Sequence, residues 1–207
     1  MDIGRMDPEL LDGLKRLQAA MPLGHNLTDD LEGTRQAAAS RNALLKEGFT
    51  LPDDVTLELV SFTGSQGHRV ELRMMRPKQP KNPAMPLVYW MHGGGYILGS
   101  AGQDDPLMAK FAHELGCVAV SVEYRLAPET PYPGPLNDCY EGLCHLVENA
   151  ASYQIGADRI VIGGASAGAG LAAGLALRVR DQADFNLVGQ VLLYPMIDDT
   201  NVAPASD

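Results

Sequence analysis

The sequence predicts an α/β protein: a mostly parallel sheet with helices on both faces. Three observations carry that prediction. Apolar runs at Leu87–Met91, Cys117–Val122 and Ile160–Ile162 have the character of strands covered on both sides, and Val188–Leu193 reads as a fourth strand. Segments with helical spacing lie between them, and strands alternating with helices of this length build parallel sheets. The third run leads directly into Gly164-Ala165-Ser166-Ala167-Gly168, a strand-to-helix turn of the form GxSxG.

The elements follow in order. Residues 7–48 read as helical and polar, with Ala37–Ala39 and Leu44-Leu45, Gly48 as a helix stop and Pro52 beyond it. Val55–Val60 and Val70–Met74 alternate apolar and polar residues on either side of the turn Gly64-Ser65-Gln66-Gly67, which predicts an antiparallel hairpin. Pro77–Pro86, rich in proline, is a loop. Asp105 is read as an N-cap with Pro106 at the first helical position. Leu107, Phe111 and Leu115 continue at i, i+4 and i+8, and Gly116 ends that helix. Leu136, Tyr140, Leu143 and Val147 mark another amphipathic helix. Leu171, Leu175 and Val179 mark one face of the helix after Ser166. Residues 1–50 are taken as an N-terminal helical segment and 51–207 as the core.

Composition bounds the function. The 207 residues are 45% hydrophobic and 20% charged, with a formal net charge of −10. Nucleic acids and anionic membranes call for a positive face, so neither is an expected partner. The sequence has no apolar run long enough for a transmembrane helix, and its start lacks the basic and apolar pattern of a secretion signal. Cys117, Cys139 and Cys144 are too few for a disulfide framework and lack metal-ligand spacing, and Cys117 reads as a buried structural thiol. A cytoplasmic protein without metal or organic cofactor is expected.

The chemistry rests on two motifs. Serine is a weak nucleophile without a base, and acyl transfer builds negative charge on the carbonyl oxygen. N–H donors fixed around that oxygen stabilise it. Ala167, following Ser166, supplies one such donor, and the glycines of His92-Gly93-Gly94-Gly95 let the backbone approach a substrate closely and point further donors inward. The helix after Ser166 adds its positive end. Gly168-Ala169-Gly170-Leu171-Ala172-Ala173 also fits a dinucleotide-binding pattern, but it starts inside the helix rather than in the turn, so helix–sheet packing is the better reading. Asp104 and Asp105 could suggest an acid or metal pair, and the N-cap is preferred.

Four segments together resemble the hormone-sensitive-lipase-like esterases of the α/β-hydrolase fold: His92–Tyr96, Glu123-Tyr124-Arg125-Leu126-Ala127-Pro128-Glu129, Gly164–Gly168 and Leu193-Tyr194-Pro195. The resemblance covers about residues 55–205. It implies Ser166 as nucleophile, Gly94, Gly95 and Ala167 as oxyanion donors, and His92, Gly93 and Tyr96 around the substrate, with Tyr96 at the pocket mouth. It makes the N-terminal helices part of a cap, gives Arg125 and Glu129 a bracing role, and implies small carboxylic esters, short-chain or aromatic, as substrates. The sequence departs from the family at Ala165 and Ala169, where Asp and Gly are common. No histidine follows Ser166. The family's acid and histidine, its last strands and the rest of its cap fall beyond the strand ending near Leu193. Asp198 and Asp199 are read as loop residues, and His25, His68, His113 and His145 as structural or solvated. Weak or absent turnover by these residues alone is therefore expected, as is self-association through the exposed last strand. The alternatives are a non-catalytic small-ligand-binding protein, as in the gibberellin receptors that resemble this family, and complementation by a separate C-terminal chain.

Overall fold

In the computed structural model, residues 7–20, 30–183 and 185–198 are described. The chain divides into two compact units, residues 1–48 and 49–207. The first contains α1 (Pro8–Ala20) and α2 (Leu31–Leu45). Asp30 caps α2: its carboxylate accepts the Gly33 N–H at 2.8 Å, and Glu32 in the first turn complements the helix dipole. Gly48, with φ of 80°, follows the helix in the left-handed conformation suited to a C-terminal stop.

The second unit is a six-stranded sheet in the order β1-β2-β4-β3-β5-β6. Its strands are β1 (Val55–Thr63), β2 (Arg69–Pro77), β3 (Met85–Met91), β4 (Val118–Glu123), β5 (Ile155–Ala165) and β6 (Gly189–Leu193). The predicted hairpin is present, with Val55 opposite Pro77 and Thr63 opposite Arg69. β2 also pairs antiparallel with β4, whereas β4, β3, β5 and β6 run parallel. Between them lie α3 (Asp105–Lys110), α4 (Gly134–Glu148), the single turn α5 (Ala150–Tyr153) and α6 (Ala167–Gln182).

The period of two along each strand sorts the core into two layers. Leu72, Leu87, Tyr89, Met91, Val120 and Ile162 cluster with Leu143 and Leu146 of α4 and Leu171, Leu175 and Val179 of α6. Met75, Trp90 and Ala119 point the other way, onto Met108 and Ala109 of α3 and Ala112. Helices on both faces explain why β3 is apolar throughout and β4 is interrupted only by Ser121 before its closing Glu123.

Three details depart from the sequence reading. Asp105 is the first residue of α3 rather than its cap; Asp104 holds the cap position, without a side-chain capping hydrogen bond. Both are committed to the sheet, as described below. Phe111–Leu115 is a π-helical turn, and the altered rotation leaves Leu115 64% exposed instead of facing the core with Phe111. β6 is mostly exposed; among the described residues it pairs only with β5 and so forms the sheet edge. β5 is also longer than its apolar run, with a shift in pairing where Asp158 and Arg159 interrupt it. Among the described residues no helix is long and apolar enough to cross a membrane.

Candidate active site

β5 delivers Ser166 to the carboxyl edge of the sheet. Its backbone has φ 54° and ψ −117°, a conformation that side-chain-bearing residues rarely adopt, at a cost on the order of 1–3 kcal/mol. The turn is held from several sides. The Ser166 N–H donates to Leu193 O at 2.9 Å, and Ser166 O accepts from Met196 N at 3.1 Å and Gly170 N at 3.1 Å. Glycine is required on both flanks: a β-carbon on Gly164 would overlap the Gly168 backbone, and one on Gly168 would overlap Met91 O and His92 O. Gly168 and Gly170 thus serve close packing of α6, as the position of the dinucleotide-like motif suggested.

The His92–Gly95 loop lies against this turn. A β-carbon on Gly93 would stand 3.0 Å from Ala165 O and 3.6 Å from Ser166 Cβ. Gly94, with φ 140°, and Gly95, with φ 63°, use backbone space that favours glycine. The N–H groups of Gly94, Gly95 and Ala167 donate to no acceptor among the described residues. Ala167 opens α6, so its N–H also carries the positive end of that helix.

His92 is wholly buried. Its ring stacks on Tyr124, with centroids 4.1 Å apart. Nδ1 lies 2.9 Å from Gly93 O, an acceptor only, so Nδ1 carries the proton and donates. Burial pushes the imidazole pKa down to about 4, which keeps it neutral. The Tyr124 hydroxyl donates to His92 O at 2.7 Å. Tyr96, with φ 65°, places its hydroxyl 3.1 Å from Met196 O as a donor, while its carbonyl accepts from Ala127 N at 2.9 Å.

The acidic residues around the loop are structural. Arg73 grips Asp105 through Nε at 2.9 Å and Nη2 at 2.8 Å. Trp90 Nε1 donates to Asp104 Oδ2 at 3.2 Å, and burial raises the Asp104 carboxyl to about 6. Glu123, also raised by burial, accepts the Ala101 N–H at 2.9 Å. Arg125 forks onto buried Asp138, with Nη2 to Oδ1 at 2.7 Å and Nε to Oδ2 at 2.9 Å. Sequence reasoning gave Asp138, Tyr124 and Gln103 no role, because their partners come from other elements and leave no local pattern.

The described histidines are engaged away from Ser166. His68 Nε2 lies 2.9 Å from Asp138 Oδ1, His113 Nδ1 2.8 Å from Asp54 Oδ1, and His145 stacks on Phe62 with Nε2 3.0 Å from the Tyr153 hydroxyl. His25 and Asp199 lie outside the described residues. Asp198 is exposed in the segment after β6. The Ser166 hydroxyl has no hydrogen-bond partner among the described residues. Among them, no group of three His, Cys, Asp or Glu side chains could hold a metal ion.

Two cavities open one helical turn from Ser166, and both are lined by Tyr96 and Gly170. One, of about 390 Å³, lies among Tyr132, Leu136, Leu171 and Gly174 and is largely apolar. The other, of about 560 Å³, runs along Leu177, Met196, Ile197 and Asp198.

Comparison with known proteins agrees with this fold. A family model described as the α/β-hydrolase fold matches residues 88–207. The chain is 32% identical over 201 residues to an ethyl acetate hydrolase of Pseudomonas putida, covering 93% of this chain and 62% of that protein. It is 37% identical over 122 residues to the hormone-sensitive lipase of Bos taurus, covering 58% of this chain and 16% of that one. A solved bacterial heroin esterase superimposes with a TM-score of 0.86 at 36% identity, over 96% of this chain and 61% of that one. The chain thus spans about three-fifths of the length of these two esterases. On the family match and these likenesses, the chain belongs to the hormone-sensitive-lipase-like esterases of the α/β-hydrolase family.

Proposed function

We propose that this chain carries the nucleophile and oxyanion site of a carboxylic-ester hydrolase. The observation that supports it most is the packing of the His92–Gly95 loop against the strained Ser166 turn, with the Gly94, Gly95 and Ala167 N–H groups donating to no acceptor among the described residues. In this reading Ser166 Oγ attacks the ester carbonyl, a C–O bond forms, and the carbonyl π pair moves to oxygen. The three N–H groups receive that charge, and losing one such donor typically costs about 2.7–4 kcal/mol of transition-state stabilisation. Collapse expels the alkoxide, which is protonated, and water then hydrolyses the acyl-enzyme. The serine proton needs a base. Because each described histidine is held elsewhere, these 207 residues by themselves turn over slowly.

Small esters, short-chain or aromatic, suit the site. The cavity of about 390 Å³ beyond Gly170 presents aromatic and aliphatic walls to an acyl or alkoxy group. The ethyl acetate hydrolase among the relatives favours the same substrate class. A cytoplasmic setting accords with three free thiols. Self-association through β6 belongs to the same proposal, since Val191 and Leu193 at that edge are 45% and 40% exposed. Sedimentation over a range of concentrations tests it; a monomer throughout would refute it.

The direct test is hydrolysis of a short-chain p-nitrophenyl ester by this chain beside Ser166→Ala. A slow rate that disappears in the variant is expected. Equal rates, with tight binding of the ester, would favour a ligand-binding protein instead.

A further inference from the structure

A peptide unit is planar and trans, so the carbonyl of one residue and the N–H of the next point in opposite directions. Holding the carbonyl therefore aims the N–H. Gly93 O accepts from two side chains on the protein side of the loop: His92 Nδ1 at 2.9 Å and Gln103 Nε2 at 3.2 Å. The next carbonyl, Gly94 O, accepts from Ile97 N at 3.2 Å and Leu98 N at 2.9 Å. Both carbonyls are thus tied to protein, and the Gly94 and Gly95 N–H groups that share their peptide planes are left without acceptors among the described residues.

We infer that Gln103 is a positioning residue for the oxyanion donors: with His92 it fixes the Gly93 carbonyl and so aims the Gly94 N–H at an ester oxygen on Ser166. This rests on the esterase reading above. Gln103 is well placed to act as an anchor because the short 3₁₀ turn that carries it, Ala101–Asp104, is fastened to three strands. Ala101 N–H donates to Glu123 of β4, Asp104 accepts from Trp90 of β3, and the adjoining Asp105 is gripped by Arg73 of β2. Gly99 makes room for the arrangement. At φ 96°, a β-carbon there would stand 2.5 Å from Gly93 O, 2.7 Å from His92 Nδ1 and 2.9 Å from Gln103 Oε1. Any side chain at Gly99 would push the tether apart.

The test uses the full chain, an alkylboronic acid and two near-isosteric variants. Boron accepts a bond from Ser166 Oγ, the hydroxyl proton leaves to solvent, and a boronate oxygen takes the oxyanion position without any leaving group. Gln103→Met, which lacks the donor, is expected to weaken boronate binding about tenfold, the scale of one neutral hydrogen bond. Gln103→Glu is expected to weaken it further at pH 8, where an ionised carboxylate faces a carbonyl. It should recover toward wild type as the acid protonates near pH 5, since a carboxylic acid can donate. His92, Asp104 and Glu123 titrate nearby, so each value is taken as a ratio to wild type at the same pH. The Gly93 carbonyl ¹³C resonance, which reports the tether directly, is expected to move in Gln103→Met. Unchanged binding in both variants, or an unmoved carbonyl resonance, would overturn the inference. Failure of wild type to bind boronate while the carbonyl still responds would instead overturn the esterase reading and leave Gln103 as a tether of the loop alone.

Discussion

Gly168 lies so close to Met91 that a β-carbon on the glycine would overlap the methionine carbonyl oxygen. The contact is backbone against backbone, where the last residue of β3 meets the first turn of α6, so neither partner can swing aside. Gly168→Ala is expected to destabilise the chain by roughly 3 kcal/mol, the upper end of overpacking costs, and to displace the Ser166 turn. Gly174→Ala, two turns along the same helix, meets only Leu136 side-chain carbons at 3.6 Å and 3.8 Å. It should be neutral or stabilising by up to about 1 kcal/mol, through helix propensity. Urea unfolding of the two variants checks the contrast, and equal effects would refute it.

The loop anchor and the loop histidine respond to acid with opposite signs. Burial lowers His92 from its ordinary 6.5 to about 4, so its contribution is full above 6.5 and is lost as pH falls toward 4, by about 3 kcal/mol in all. Burial raises Asp104 from 3.8 to about 6, so its favourable contribution is present at low pH and is lost as pH rises through 6. The two partly cancel between these limits. Asp104→Asn keeps an acceptor for Trp90 and removes the second effect. Relative to wild type, it should be more stable at pH 8 and lose stability more steeply on acidification, as read by thermal unfolding at pH 8 and pH 5.

The site was legible in the sequence where its demands are local. A serine in a strained strand-to-helix turn needs small neighbours on both sides, and Gly164 and Gly168 write that need into adjacent positions. The His92–Gly95 loop does the same. The hairpin and the central strands were legible because burial on one face or both imposes its own period. Asp105 misled for the opposite reason. Capping rules look a few residues ahead, whereas its partner Arg73 arrives from β2, a separation no short pattern encodes. Leu115 followed a regular helical period that the π turn breaks. Gln103 is one amide in a polar stretch, and only the folded loop shows which carbonyl it meets.

Asp138 joins three elements through one buried carboxylate. It accepts the Arg125 N–H at 2.8 Å, takes the guanidinium fork of the same residue, and faces His68 from the hairpin turn. Glu141, one turn along α4, binds the Ser65 hydroxyl and N–H. Removing the guanidinium leaves a charge in a site only 1% exposed, and breaking such a pair typically costs about 3–5 kcal/mol. Arg125→Met is expected to show a loss of that order, and Arg125→Lys to recover only part of it, because an ammonium cannot reproduce the two-pronged geometry. Chemical denaturation of both variants decides the matter; full recovery by lysine would mean that charge alone suffices.

The cavity beyond Gly170 should set the chain length the site accepts. Gly174 and Leu136 face each other across it, and the missing side chain at Gly174 leaves part of its width open. Gly174→Leu fills that space from the helix side while leaving Ser166, the glycine loop and Ala167 untouched. If the cavity receives the acyl or alkoxy group, the variant should bind a short alkylboronic acid as wild type does and lose most of the added affinity of a longer one. Each buried methylene contributes about 0.8 kcal/mol, so three methylenes excluded from the cavity would weaken binding of the longer ligand by roughly 50-fold. A parallel loss for short and long ligands would point to a displaced serine turn. No loss for either would place the chain in the second cavity, beside Leu177 and Ile197, where Leu177→Trp then becomes the substitution expected to shorten it.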